Sequence, residues 1–373
     1  MNCITYCMNV HQGETLETIL AALEDVTIPL RNVLEPNAVF PVGLRLGAAT
    51  AKTLRQPEIL KRLQNFLCHN KLSVIGINGF PYGTFHGESI KEDVYLPDWT
   101  DARRIDYTLD LFYTLLQLPI AQMGTYYPNV TTVPIGYKHG EGMPETIFDT
   151  LCAMALFLRK LEGFTGKRMC LAIEPEPDCL LETTQEVIDF FERLWQSPGW
   201  SPAFRNYIGL CFDTCHFAVN YEDPLKSLQR IVAAKIPVVR IQVSAALAFH
   251  TTTPIEVLRP FVDREYLHQT RVVNETGEIE RIADMTDEVL PQLIGKEGRI
   301  HYHVPLAWEG TAVLKSTRET LTPAFWRYVR SGGWPLEIET YTYFVYPQPL
   351  RCKTLSKWLL DDFVWVKDQL KKV

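Results

Sequence analysis

The sequence predicts an α/β fold, a (β/α)8 TIM barrel with an insertion after its seventh strand. Three observations point to it. Eight short apolar, β-branched runs alternate with segments of helical hydrophobic period. Alternation of that kind pairs parallel strands through right-handed crossovers, and eight units close a barrel. The length of 373 residues suits one elaborated barrel, read as a single domain over 1–373.

The elements follow in order. Strand runs at 3–10, 42–49, 73–80 and 119–126 make the first half, with helical patterns at 15–26, 57–69, 102–118 and 144–161 between and after them. Runs at 169–176, 207–215, 238–246 and 336–343 make the second half, with helices at 184–195 and 224–234 and a closing helix at 354–370. Thr183 and Glu186 form a capping box ahead of the stripe Val187, Phe190, Phe191 and Leu194. Asp223 before Pro224 reads as an N-cap with proline at the first helical position.

The seventh and eighth runs start almost 100 residues apart, at 238 and 336. The excess, approximately 249–311, holds a charged hairpin at 270–282 turning at Asn274-Glu275-Thr276-Gly277, and an extra apolar strand at 299–306. No Gly/Ser/Pro linker flanks it, so it reads as an elaborated loop on the catalytic face.

Composition narrows the function. Hydrophobic residues at 46% and charged residues at 22% suit a large core and exclude a disordered chain. A net charge of −7, with basic residues scattered, repels a phosphate backbone and argues against nucleic acid as a partner. The first ten residues lack a basic n-region and no apolar run spans a bilayer, so a cytoplasmic location is expected. Nine cysteines without a CxxC pair, with Cys3, Cys170 and Cys211 inside apolar runs, read as free thiols in a reducing compartment. Phosphate loops, GxSxG, HExxH and a dinucleotide fingerprint are absent.

Barrel enzymes carry their chemistry at the C-terminal ends of strands. Three such ends supply carboxylates after apolar runs: Glu174 and Glu176 in Ala172-Ile173-Glu174-Pro175-Glu176, Asp213 in Cys211-Phe212-Asp213, and Glu339 in Leu336-Glu337-Ile338-Glu339. Gathering acids is costly unless a cation balances them, and one divalent ion does so economically. Oxygen donors suit Mg²⁺ or Mn²⁺, and imidazoles shift the preference toward Zn²⁺. His216 follows Asp213 in Asp-x-x-His, and His301 and His303 share one side of the extra strand. Single carboxylates or histidines of this kind also serve as helix caps or packed core groups. His11, His86 and His139 lie near other strand ends, and Phe80, Tyr82 and Phe85 read as walls of an apolar pocket. Tyr126, Tyr127, Trp308, Tyr341 and Tyr343 are placed near the mouth, where they would suit a ring-bearing ligand.

These residues resemble the xylose isomerase-like superfamily of sugar isomerases, ketose 3-epimerases, inosose dehydratases and endonuclease IV. Gly209-Leu210-Cys211-Phe212-Asp213-Thr214-Cys215-His216 is similar to the strand-six motif of endonuclease IV. Ala172–Glu176 looks like the strand-five glutamate motif, and Ile338-Glu339-Thr340-Tyr341 looks like the strand-eight glutamate motif of the epimerases. The segments 78–87, 301–306 and 337–341 look like the barrel protein of the ebo gene cluster, a family labelled a metabolite traffic protein. The trinuclear zinc site of endonuclease IV is not expected, because the strand ends read as three, four and seven lack its histidines.

The resemblance implies one divalent metal (Mn²⁺, Zn²⁺ or Mg²⁺) on Glu174, Asp213 and Glu339. His303 stands in for a strand-seven histidine that is missing beside Arg240 and Gln242. Glu174 and Glu339 are then the catalytic acid and base, and His216, Glu176, Gln242, His301, Tyr82 and His86 the substrate-binding set. The first functional expectation is a metal-dependent isomerase or epimerase of a small hydroxylated metabolite. The second is a non-catalytic metabolite carrier working with a membrane-protein partner, and the third a metal-dependent hydrolase or lyase.

Overall fold

The computed structural model describes residues 2–87, 89–140, 142–348 and 350–373. Eight parallel strands form the barrel sheet: β1 (Ile4–Tyr6), β2 (Phe40–Arg45), β3 (Leu72–Asn78), β4 (Asn129–Thr132), β5 (Cys170–Ile173), β6 (Ile208–Asp213), β7 (Val238–Val243) and, last in the chain, β13 (Leu336–Ile338). They run in the order β1-β13-β7-β6-β5-β4-β3-β2, and a parallel bridge from Cys7 to Gly43 joins the two ends of the sheet. The fold is therefore the α/β TIM barrel that strand–helix alternation predicts.

A second sheet occupies the excess length between β7 and β13. Its strands are β8 (Ala246–Phe249), β9 (Thr270–Val273), β10 (Ile279–Ile282), β11 (Glu297–His303) and β12 (Leu314–Ser316), antiparallel in the order β10-β9-β11-β8-β12. The predicted hairpin is the β9–β10 pair, and the predicted extra strand is β11. The predicted seventh run is met only in part: six of its residues, Val238–Val243, form β7, and Ala246 already belongs to the second sheet.

Helix chemistry explains most boundaries. Pro57–His69 opens on proline and buries Leu60, Leu63 and Leu67 along one face. The Thr183–Glu186 capping box and the Asp223 N-cap are both formed. The first helix runs on past its predicted end to Leu34 through a π-helical turn at Leu23–Thr27, where Pro29 has no N–H to donate back.

One strand lies elsewhere than predicted. The stretch 119–126 touches β3 only at Ile120, opposite Val74, and then turns at Gly124, which has a positive φ of 64°. The chain pairs again at Asn129–Thr132, against Gly76–Asn78. Hydrophobicity marks the first piece, but β-branched Val130, Thr131 and Thr132 suit the pleated ladder better. This moves Tyr126 and Tyr127 to the opposite end of the barrel. Tyr126 donates to the Gly332 carbonyl ahead of β13, and Tyr127 packs under Arg168 just before β5.

The barrel interior is polar at its centre. Arg240 of β7 and Glu337 of β13 form a fully buried ion pair at 2.6 Å. Glycines make the room: a Cβ at Gly43 would sit 1.7 Å from Glu337 Oε1, and one at Gly76 would sit 2.1 Å from Arg240 Nη2. Cys170, Ala172 and Cys211 share this interior with Val239, so period two does aim Glu174 and Asp213 inward. Cys170 and Cys211 are buried free thiols, while Cys3 is half-buried.

Candidate metal centre

Above the Arg240–Glu337 pair, the strand ends converge. Glu174 follows β5, Asp213 ends β6 and Glu339 follows β13, and one oxygen of each lies within 4.8 Å of the others. All three are buried. The Asp213 position is fixed by local chemistry: it caps the short helix Thr214–Val219, accepting the Cys215 N–H at 2.7 Å and the His216 N–H at 3.1 Å. The Ser244 hydroxyl donates to the same oxygen at 2.6 Å. Asp213 Oδ2 and Glu174 Oε2 have no partner among the described residues. Glu339 Oε1 accepts from Asn9 Nδ2 at 2.9 Å.

The electrostatics follow from crowding. Burial raises the Glu174 carboxyl well above its usual range, and Asp213, Glu176 and Glu337 raise it further against the pull of Arg240. Glu339 is raised by burial and by Glu174, Asp213 and Glu337. Burial also pushes Asp213 upward, but His216, His303 and the Ser244 hydrogen bond outweigh it and leave that carboxyl below normal.

Three imidazoles stand beside the acids. His216 Nδ1 lies 2.7 Å from the Pro175 carbonyl, His301 Nδ1 lies 2.7 Å from Gln269 Oε1, and His303 Nδ1 lies 3.0 Å from the Glu339 carbonyl. Each acceptor holds a proton on Nδ1, so that the neutral form of the ring carries its lone pair on Nε2. The Nε2 atoms of His301 and His303 approach to 3.2 Å. Burial drives the His303 imidazole down to about 4 and His301 well below normal, so both are neutral at physiological pH.

The four residues expected to hold the ion fall into two overlapping groups. Glu174, Asp213 and Glu339 form one, Asp213, His216 and His303 form another, and Asp213 belongs to both. A third group joins Glu176 to His216 and His301. Glu174, Glu176, Glu339 and Asn9 lie at the floor of a cavity with about 50 Å³ of free volume, and Asp213 lies outside its lining. Phe80, Phe85, Val94, Tyr95, Tyr266, Leu267 and Tyr341 wall it above.

The other expected substrate contacts lie further off. Gln242 is buried within the barrel beside Glu337, beneath the cavity and outside its lining. Tyr82 packs edge-on against Tyr107 and does not line the cavity, although Phe80 and Phe85 do. His86 stands behind the wall, hydrogen-bonded to the Asn9 carbonyl at 2.6 Å and to the Tyr266 hydroxyl. Of the aromatics placed at the mouth, Tyr341 lines the cavity; Trp308 lines a separate one and Tyr343 packs on Trp358.

Sequence reasoning missed the roof. Glu265, Tyr266 and Leu267 come from the insertion and meet the loop after β3, where the Ile90 N–H donates to the Glu265 carbonyl at 3.0 Å. The Lys91 ammonium ties the same two segments, lying 2.8 Å from Asp284 and 2.6 Å from the Tyr266 carbonyl. Asn9, Ser244 and Gln269 were also missed. Asn9 is signalled only as a polar residue inside the apolar run Met8–Val10.

The residues present fit a divalent cation. The three-carboxyl group is buried, two of its oxygens are unpartnered, and neutral imidazoles with free lone pairs stand next to it.

No protein-family model matches the chain, and no curated protein matches it. Solved structures do. The IolI protein, solved with a zinc atom, is 13% identical, with 100% of this chain and 99% of that one covered and a TM-score of 0.53. A xylose isomerase-like TIM barrel protein from Mycobacterium smegmatis, in complex with magnesium, is 10% identical over 100% and 97%, with a TM-score of 0.53. An L-ribulose 3-epimerase is 13% identical over 100% and 95%, with a TM-score of 0.52. At these identities the likeness establishes the fold alone, a TIM barrel.

Proposed function

We propose that the chain is a metal-dependent isomerase or epimerase that moves a proton at one carbon of a small hydroxylated metabolite. The observation that carries this reading is the buried Glu174–Asp213–Glu339 group with its two unpartnered oxygens. Those three carboxyls would hold one divalent ion, Mn²⁺, Zn²⁺ or Mg²⁺, with His303 the imidazole grouped with Asp213. Such an ion acts as a Lewis acid on adjacent carbonyl and hydroxyl oxygens and so acidifies the carbon between them.

The chain's own residues then divide the work. Glu174 and Glu339 enter from β5 and β13, which are separated in the ring by β6 and β7, and so reach a shared carbon from different directions. One takes the proton and the other returns it. The free Nε2 of His216 accepts a substrate hydroxyl, and Glu176 and His301, 3.4 Å apart, face a second one. The apolar roof keeps bulk water from the carbanion-like carbon. With only about 50 Å³ free, the loop after β3 and the 263–267 segment must part to admit substrate.

The test has two parts. Elemental mass spectrometry should find about one divalent metal ion (Mn²⁺, Zn²⁺ or Mg²⁺) per chain in wild type and none in Asp213→Ala. Candidate hydroxyketones incubated in D₂O should exchange one C–H, and Glu174→Gln and Glu339→Gln should each slow that exchange by about 10²–10⁴-fold. Full turnover in both variants overturns the mechanism. Solvent oxygen in the product, without C–H exchange, would point to a hydrolase instead.

One observation favours a second reading, a metabolite carrier with a membrane-protein partner. The strand-seven histidine of the resembled epimerases is missing from β7, where Arg240, locked to Glu337, and Gln242 lie nearby. A carrier would bind its ligand with no exchange at any carbon.

A further inference from the structure

A second cavity lies between the segment after β11 and the C-terminal helix Leu355–Lys371, and it shares no lining residue with the first. Its volume is about 310 Å³, within the size range of small-molecule sites. Trp308, Tyr346 and Trp358 supply aromatic walls, and Glu309, Asp361 and Asp362 supply carboxyls. Trp358 packs edge-on against Tyr346 with ring centres 4.8 Å apart.

Two of the three carboxyls have no cation partner among the described residues. Lys353 is the basic residue of the lining, and its ammonium sits 2.6 Å from Asp361; Lys357 takes the other Asp361 oxygen, also at 2.6 Å. Among the described residues no cation pairs with Glu309 or Asp362. Asp362 is fully buried. Its Oδ1 accepts the Ala307 N–H at 2.8 Å, and its Oδ2 has no partner. The Tyr346 hydroxyl and the Trp358 indole N–H are likewise buried and unpartnered. Burial, reinforced by the neighbouring Asp361 carboxylate, pushes the Asp362 carboxyl up to about 8.

An anion would meet carboxyls here. A metal ion lacks a site, since no three His, Cys, Asp or Glu donors converge on this cavity among the described residues. A purely apolar ligand would leave Asp362 buried without a partner. A compact organic cation suits both kinds of wall: it would lie against the aromatic rings and meet Glu309 and Asp362, whose raised carboxyl its charge would draw back toward the ionised form. The geometry points to a binding site for a small organic ammonium ion, seated against Asp362, Trp308, Tyr346 and Trp358. The site is tied to the principal cavity through the chain: Pro305 follows His303 by two residues, and the Thr342 hydroxyl donates to the His303 carbonyl.

The probe is tetramethylammonium, with tert-butanol as the neutral control of similar size and NaCl as the ionic control. Titrating the full chain while following the indole N–H resonances, with Trp358 assigned through Trp358→Phe, should give saturable shifts at millimolar concentrations. Asp362→Asn, which keeps an acceptor for Ala307, should weaken binding by about tenfold or more. Glu309→Gln, at an exposed position, should weaken it by about two- to threefold and serves if Asp362→Asn fails to fold. Three results overturn the site: no saturation by about 100 mM, equal binding of tert-butanol, or unchanged affinity in whichever of the two variants folds.

Discussion

Two regions of this molecule bury acids, and they do it in opposite ways. At the barrel rim, Glu182 is fully buried, yet both its oxygens are taken: Arg271 of β9 at 2.8 Å on one, Lys138 and Arg281 of β10 at 2.9 Å each on the other. Burial pushes that carboxyl up, but Arg271 and Lys138 outweigh it and hold it below its usual range. At the barrel mouth, Glu174 and Glu339 face other carboxyls, with one locked arginine beneath them, and both are raised. The acid with full partners fastens the inserted sheet to the barrel. The acids without them are held in a costly state that a ligand would relieve.

That contrast breaks most visibly under substitution. Glu174→Gln should abolish about 99% or more of C–H exchange while leaving the metal-free protein as stable as wild type or more so, because it removes one member of a repelling group. Arg271→Met should do the reverse. It strips Asp178 of its 2.7 Å partner and leaves Glu182 to Lys138 and Arg281, which are partly exposed. A loss of about 3 kcal/mol in urea unfolding is expected. If both substitutions destabilised equally, the mouth acids would be structural and the contrast false.

Much of this contrast was legible in the sequence, and the part that was not has a physical cause. Glu174, Asp213 and Glu339 end apolar runs of period two, so local pattern alone aims them inward. Asp213 and His216 are also coupled locally, through a helix cap. Glu182 carried no such signal. It precedes a capping box, and its importance comes from Arg271, 89 residues away. The roof residues Glu265 to Leu267 lie outside any periodic segment, and Gln269 acquires its role only by meeting His301 across the second sheet. The misplaced fourth strand shows the same limit. Its stretch 119–126 buries only Met123, and β3 pairs mainly with the more polar, fully buried Asn129–Thr132.

The two regions should also respond to pH with opposite sign. Glu174 and Glu339 have folded pKa values raised above the ordinary carboxylate value of 4.5, so their contribution to metal-free stability is complete below that value and is lost as pH rises through the raised values. Glu182 is depressed, so its contribution is present above about 4.5 and lost as pH falls. Thermal unfolding in chelator from pH 5 to pH 8 should therefore decline with rising pH in wild type and decline less in Glu174→Gln. Added metal should flatten the wild-type curve by displacing the protons. A wild-type curve that rises over this window would mean that the mouth acids are already balanced.

The smallest expected effect separates Glu182 from its neighbour. Thr183 caps the helix Thr184–Gln196, and Glu186 answers it from the third helical position while also holding Lys138 at 2.8 Å. Thr183→Ala removes the hydroxyl acceptor of the Glu186 N–H, but Glu186 can still accept from the Thr183 N–H, at 2.8 Å in wild type. The cost should be about 1 kcal/mol in urea unfolding, the ordinary value for a lost cap, and additive with Arg271→Met to within about 0.5 kcal/mol. Strong non-additivity would show that the cap and the Glu182 cluster act as one unit. The fastening of the inserted sheet would then extend into the barrel helix itself, rather than ending at the buried carboxylate.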